Sequence, residues 1–133
     1  MFSEPRNVLG EMFEWWNLAY REQGGFTSEA FARYFTPEAR LRVNGTVRAS
    51  GLEALGKHFS SIQASTDHVE LERPALIEFV SADGTCASSH HFVTARVRET
   101  IERERVMAIA FIQAGRITAL DIVSVPASLD ARD

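Results

Sequence analysis

The sequence predicts an α+β domain in which a long N-terminal helix and two shorter helices pack on an antiparallel meander. Three observations carry this. Apolar residues recur at helical spacing in the first half of the chain, at Val8, Leu9, Met12, Phe13 and Trp16 and again at Leu52, Leu55, Phe59 and Ile62. From Asp67 onward the chain reads as strands over 68–80, 86–98, 102–113 and 116–125, punctuated by Asp83-Gly84 and Ala114-Gly115. Between the two regimes lies Asn44-Gly45, flanked by alternating residues 40–43 and 46–49. This is a strong hairpin signal, because both central residues of a type I′ turn need positive φ.

The first helix is expected from about Ser3 to Gln23, with Ser3 as N-cap and Pro5 in the first turn. Trp15, Ala19 and Tyr20 join the apolar arc, opposite Asn7, Glu11, Glu14, Asn17 and Arg21. An arc this wide predicts a helix lying in a concavity, and Gly24-Gly25 ends it. A short second helix follows. Thr27 is its N-cap, Phe26 and Phe31 hold staple positions, Phe31, Tyr34 and Phe35 form the buried edge, and Pro37 stops it. After the hairpin, Ser50-Gly51-Leu52-Glu53 has capping-box spacing and starts the third helix. Glu99-Thr100 is the expected turn between the second and third strand runs. No repeat or linker interrupts the chain, so residues 1–133 read as a single domain.

Composition narrows the function classes. Hydrophobic residues make up 45% and charged residues 24% of 133, enough to build a core without disulfides or metal. The net charge of −4 argues against a nucleic-acid or anionic-membrane partner. Cys86 is the single cysteine, which excludes an intramolecular disulfide and a cysteine zinc cluster and fits the cytoplasm. No apolar run reaches the roughly 20 residues of a membrane span, and the N-terminus is not a secretory signal. Neither a Gly-rich phosphate loop nor metal-ligand spacing is present, so no cofactor is implied.

Register follows from the turns. Central Asp83-Gly84 sets Ile77 opposite His90 and Ala75 opposite Phe92. Central Glu99-Thr100 sets His90 opposite Ile109. Central Ala114-Gly115 sets Ile109 opposite Leu120 and Met107 opposite Ile122. Together these give one face of large side chains, with Val69, Leu71, Ile77, Phe79, His90, Phe92, Met107, Ile109, Phe111, Leu120 and Ile122. That face is expected to meet the helices. The other face holds smaller residues, among them Ala87, Ser89, His91, Ala108, Ala110, Ala119 and Asp121. It is too apolar for open solvent, so it is expected to form a homodimer interface.

The order helix, short helix, hairpin, helix, meander resembles the nuclear transport factor 2-like superfamily, and within it the polyketide-cyclase (SnoaL-like) branch. The residues carrying the resemblance are Phe35-Thr36-Pro37-Glu38-Ala39-Arg40-Leu41, Gly51-Leu52-Glu53-Ala54-Leu55 and Gly115-Arg116-Ile117-Thr118-Ala119-Leu120. It implies a cone: a strongly curved antiparallel sheet around the long helix, a pocket at the wide end, and dimers through the outer sheet face. The superfamily hosts isomerases, dehydratases, cyclases and pure binding proteins. The position of the ketosteroid isomerase branch's carboxylate base falls on Val43, and that of its acidic oxyanion donor on about Met107. Both are apolar here, which argues against that chemistry.

His90 is the leading catalytic candidate, as a histidine in an apolar pocket working as acid or base; a core histidine with one hydrogen bond is the alternative. His91 must point the other way, so the pair cannot chelate a metal. Asp121 is a second catalytic candidate, on the outer face unless a bulge turns it inward. Trp16, Tyr20, Val43, Phe59, Phe92, Met107 and Leu120 are the expected ligand-binding residues. Arg48, Arg73 and Arg96 are candidates to ring the opening for an anionic substrate, against the alternative of solvated strand ends. The expected function is a small-molecule-binding protein acting as an isomerase, dehydratase or cyclase on a small cyclic or aromatic substrate. The alternative is a non-catalytic binding or accessory protein with the same pocket.

Overall fold

The computed structural model describes residues 5–132. Helix α1 (Val8–Tyr20) starts where Asn7 caps it, its side chain accepting from the Gly10 amide at 3.0 Å. The cap is therefore Asn7; Pro5 precedes the helix, and Ser3 lies outside the described residues. The chain leaves α1 through a tight turn in which a Cβ on Gly25 would sit 2.2 Å from the Ala19 carbonyl oxygen. Helix α2 (Ser28–Phe31) has Thr27 as N-cap, accepting from the Ala30 amide. It ends before Pro37, which instead lies inside strand β1 (Phe35–Val43).

Asn44 and Gly45, with φ of 49° and 84°, turn β1 into β2 (Thr46–Ser50). Helix α3 (Leu52–Ser65) follows with Gly51 at the N-cap and no side-chain cap, so Ser50 does not serve the capping-box role. The run 68–80 divides into β3 (His68–Leu71) and β4 (Ile77–Val80). Strands β5 (Cys86–Val97), β6 (Thr100–Gln113) and β7 (Arg116–Ala127) complete a sheet of order β2-β1-β7-β6-β5-β3, with β4 also on β5. Its one parallel pair is β1–β7, so the sheet is mixed. No helix among the described residues is long and apolar enough to cross a membrane.

The sheet wraps α1, whose Val8, Leu9, Met12, Phe13, Trp16, Ala19 and Tyr20 are all buried. The faces are the reverse of the expectation drawn from side-chain size. Ala87, Ser89, His91, Ala108 and Ala110 are buried on the concave side. Ile77, Phe79, Met107, Ile109 and Phe111 lie on the convex side with 44–59% of their surface exposed. The reason is volume. Side chains converge on the inside of a curved sheet, and the helix brings its own aromatic bulk there, so β5 and β6 beneath it take the small Ala87, Ser89, Ala108 and Ala110.

Two irregularities further break the expected register. β3 and β4 both pair with β5, His68 opposite Arg96 and Ile77 opposite His90, with an odd number of extra residues between. Val69 and Leu71 therefore point inward while Ile77 and Phe79 point outward, and Ala75 and Phe92 do not pair. A bulge between Phe111 and Ile112 moves Leu120 opposite Ala110 and Ile122 opposite Ala108, onto the concave side. The β5–β6 turn centres on Arg98-Glu99, so His90 faces Met107. That slip leaves both residues on the same face.

Candidate functional site

Between α1, α3 and the concave sheet lies a cavity of about 360 Å³. Phe13, Trp16, Phe35, Leu41, Val43, Phe59, Ile62, Val69, Leu71, Val106, Leu120 and Ile122 give it an apolar wall. Its polar members are His91, Thr66, His58, Arg48, Glu104 and Ser124. His91 is 2% exposed, whereas Arg48 and Glu104 are exposed, so the wall runs from a dry end to a wet one.

His91 anchors the dry end. Its ring meets Phe13 edge-on at 4.8 Å between centroids. Its Nδ1 is 2.9 Å from Ser89 Oγ, and Ser89 Oγ donates to Glu78 Oε2 at 3.3 Å. An ionised carboxylate only accepts, so the Ser89 proton goes to Glu78 and the Ser89 oxygen accepts from Nδ1–H. That arrangement leaves Nε2 as the unprotonated nitrogen, and no hydrogen bond engages it among the described residues. Burial, and then the nearby Arg73 charge, push the His91 pKa down to about 4, so the imidazole is neutral at pH 7. Glu78 is half-buried. Burial alone would raise its pKa, but Arg73, donating to both its oxygens, together with Asn7 and Ser89, holds it below the usual carboxylate value. Asn7 donates to Glu78 as well, so the α1 cap and the His91 support share one residue.

Of the residues singled out from sequence, Trp16, Val43, Phe59 and Leu120 line the cavity. His90 does not. It sits between Ile77 and Met107 on the convex face, its Nε2 buried without a partner. Phe92 and Met107 lie on that face too, Phe92 beneath the Arg103 guanidinium at 3.8 Å. All three were placed inside on the argument that large side chains face the helices, and the curvature reverses it. Tyr20 is buried but off the cavity wall, its hydroxyl 2.6 Å from Thr66 Oγ1. Asp121 is also on the convex face, opposite Ile109 and 3.4 Å from Arg42. The β7 bulge puts it there; an uninterrupted ladder would have set it opposite Ala108 inside. Arg73 is committed to Glu14 and Glu78, and of the three candidate arginines only Arg48 reaches the cavity.

Sequence reasoning missed Ser89, Glu78, His58, Glu104 and Ser124, and set His91 aside. Alternation had already separated His90 from His91 correctly as opposite-facing. The signal that would have chosen between them is the wide aromatic arc of α1, which leaves little room on the strands below. Among the described residues no group of three or more His, Cys, Asp or Glu is arranged to hold a metal ion.

No protein-family model matches the sequence, and no curated protein matches it. Solved structures do resemble the fold. An NTF2-like protein of unknown function from Exiguobacterium sp. 255-15 superposes with a TM-score of 0.71 at 16% identity, over 91% of this chain and 98% of that one. A protein from Jannaschia sp. CCS1, proposed to be a SnoaL-like polyketide cyclase, gives 0.69 at 10% identity, over 88% and 82%. A ketosteroid isomerase-like fold from Catenulispora acidiphila, in complex with trimethylamine, gives 0.68 at 11% identity, over 89% and 85%. Three helices held against a large curved mixed sheet, together with these likenesses, give this chain the nuclear transport factor 2-like fold.

Proposed function

We propose that the protein binds a small cyclic or aromatic molecule in the concave cavity and transfers a proton on it through His91, in an isomerase, dehydratase or cyclase type of reaction. The observation that carries this is the chain Glu78–Ser89–His91, which ends at a buried neutral imidazole on an apolar wall. A base must be unprotonated, fixed in tautomer and shielded from water, and this arrangement supports all three. A purely binding cavity would have no need of a partnered acid or base, and the partnership favours the enzyme reading over the accessory one. The free Cys86 suits the reducing cytoplasm, where we place the protein.

Because these reaction types share removal of an acidic C–H proton, the test does not depend on knowing the substrate. A panel of cyclic ketones is incubated with the protein in D2O, and exchange of the protons beside the carbonyl is followed by NMR. Exchange well above buffer that His91→Ala abolishes and His90→Ala does not is the expected result. Exchange no faster than buffer across the panel, or equal in His91→Ala, sinks the proposal.

We also propose a homodimer through the convex face. The residues differ from those expected: Ile77, Phe79, Met107, Ile109 and Phe111 replace the small-residue set, which is interior. So large an apolar stretch on a free surface supports a partner of the same kind.

A further inference from the structure

Strand β2 carries an irregularity at the cavity. Leu41 pairs with Ala49, but the next residue, Arg42, pairs with Val47, which leaves Arg48 as an extra residue. Counted outward from the Asn44-Gly45 turn, Val43 pairs with Thr46 and Arg42 with Val47, so Val47 faces outward and Arg48 falls beside Leu41 on the concave side. Accordingly Val47 is exposed and Arg48 lines the cavity, while the bulge turns Ala49 inward against Leu41. The alternation of the hairpin thus puts a permanent cation on the cavity wall.

Among the described residues, Arg6, Arg21, Arg42, Arg73 and Arg103 each make an ion pair, whereas none of the pairs uses Arg48. His58 lines the cavity too. Burial and then the Arg48 charge hold its pKa below the ordinary value, so near neutral pH it keeps one N–H to donate without a charge of its own. The opposing charge on the wall is Glu104, which accepts from Ser124 Oγ at 2.7 Å.

We propose that the cavity selects a small carboxylic acid, with its apolar ring body against the Phe59 and Leu120 wall and its carboxylate paired with Arg48 beside His58. Arginine matches a carboxylate in shape as well as charge, and the pairing gains strength next to an apolar surface. This names the ligand class of the site read above as a ligand cavity and rests on that reading.

The test uses three probes of one size: 2-naphthoate, the neutral 2-acetylnaphthalene and the cationic 2-naphthylmethylamine. Each is titrated into the full chain by calorimetry at pH 7 in low salt. The carboxylate should bind about tenfold more tightly than the ketone, and Arg48→Gln should erase that preference. Arg48→Lys should keep part of it. Equal binding of acid and ketone, tighter binding of the amine through Glu104, or a preference that survives Arg48→Gln overturns the carboxylate assignment and leaves the cavity reading standing. Failure of all three probes to bind overturns both.

Discussion

Ser89 is a small residue with a large consequence. It is buried under α1 and joins a half-buried carboxylate to a buried imidazole. A group so placed links folding to pH. The unfolded His91 takes a proton near its ordinary value of 6.5, whereas the folded one resists until about 4. Between those values the unfolded chain binds more protons, so stability present above pH 6.5 falls as pH drops toward 4. Urea denaturation should show a loss of about 2 kcal/mol between pH 8 and pH 5 from this group alone. His91→Phe should remove most of that slope. A variant that keeps the full slope would show that His91 is not the group responsible. Ser89→Ala should also matter, because it frees the ring to take either tautomer. Proton exchange in D2O is expected to fall at least tenfold in that variant, with its fold unchanged by circular dichroism.

The elements owe their shape to a few local devices, and two glycines separate the kinds. At Gly45 the backbone has φ of 84° and a methyl would point into open space, so Gly45→Ala meets only the cost of a left-handed backbone, about 1 kcal/mol. At Gly25 a methyl would collide with the Ala19 carbonyl, and the backbone itself must shift. Gly25→Ala should therefore cost more than Gly45→Ala, about 2 kcal/mol or above by thermal or urea melts. The reverse order would mean that the α1–α2 turn relaxes freely. The two bulges act at the same scale. One in β7 sends Leu120 and Ile122 inward and Asp121 outward; the other, in β2, turns Ala49 inward against Leu41. Neither leaves a glycine or turn signal at its own position, which is why a ladder counted outward from the hairpin turns passes through both unaware.

At the scale of the whole molecule, curvature sorts the side chains. Where α1 fills the concavity, β5 and β6 turn small residues inward, and their large neighbours Met107, Ile109 and Phe111 are left on the convex face. The proposed dimer would cover that convex face. Light scattering at micromolar concentration should give twice the chain mass, and Ile109→Lys or Phe79→Lys should return a monomer that retains its cavity. A wild-type monomer would end this proposal without touching the one built on His91.

By itself the sequence determined the order of elements, the Asn44-Gly45 and Ala114-Gly115 turns, the wide buried arc of α1 and the opposition of His90 to His91. These depend on local rules: positive φ at a two-residue turn, helical spacing, and strict alternation along a strand. It also pointed to Trp16, Val43, Phe59 and Leu120, which line the cavity, Leu120 by way of the β6–β7 bulge. Only the tertiary structure decided which face of the sheet is inside. That choice depends on how sharply the sheet bends and on what the helix puts into the bend, neither of which is a property of any one strand. It moved the candidate base from His90 to its neighbour, put the Glu78–Ser89 pair that the Asp83-Gly84 register already implied on the inside, and brought Arg48 and His58 to one cavity wall.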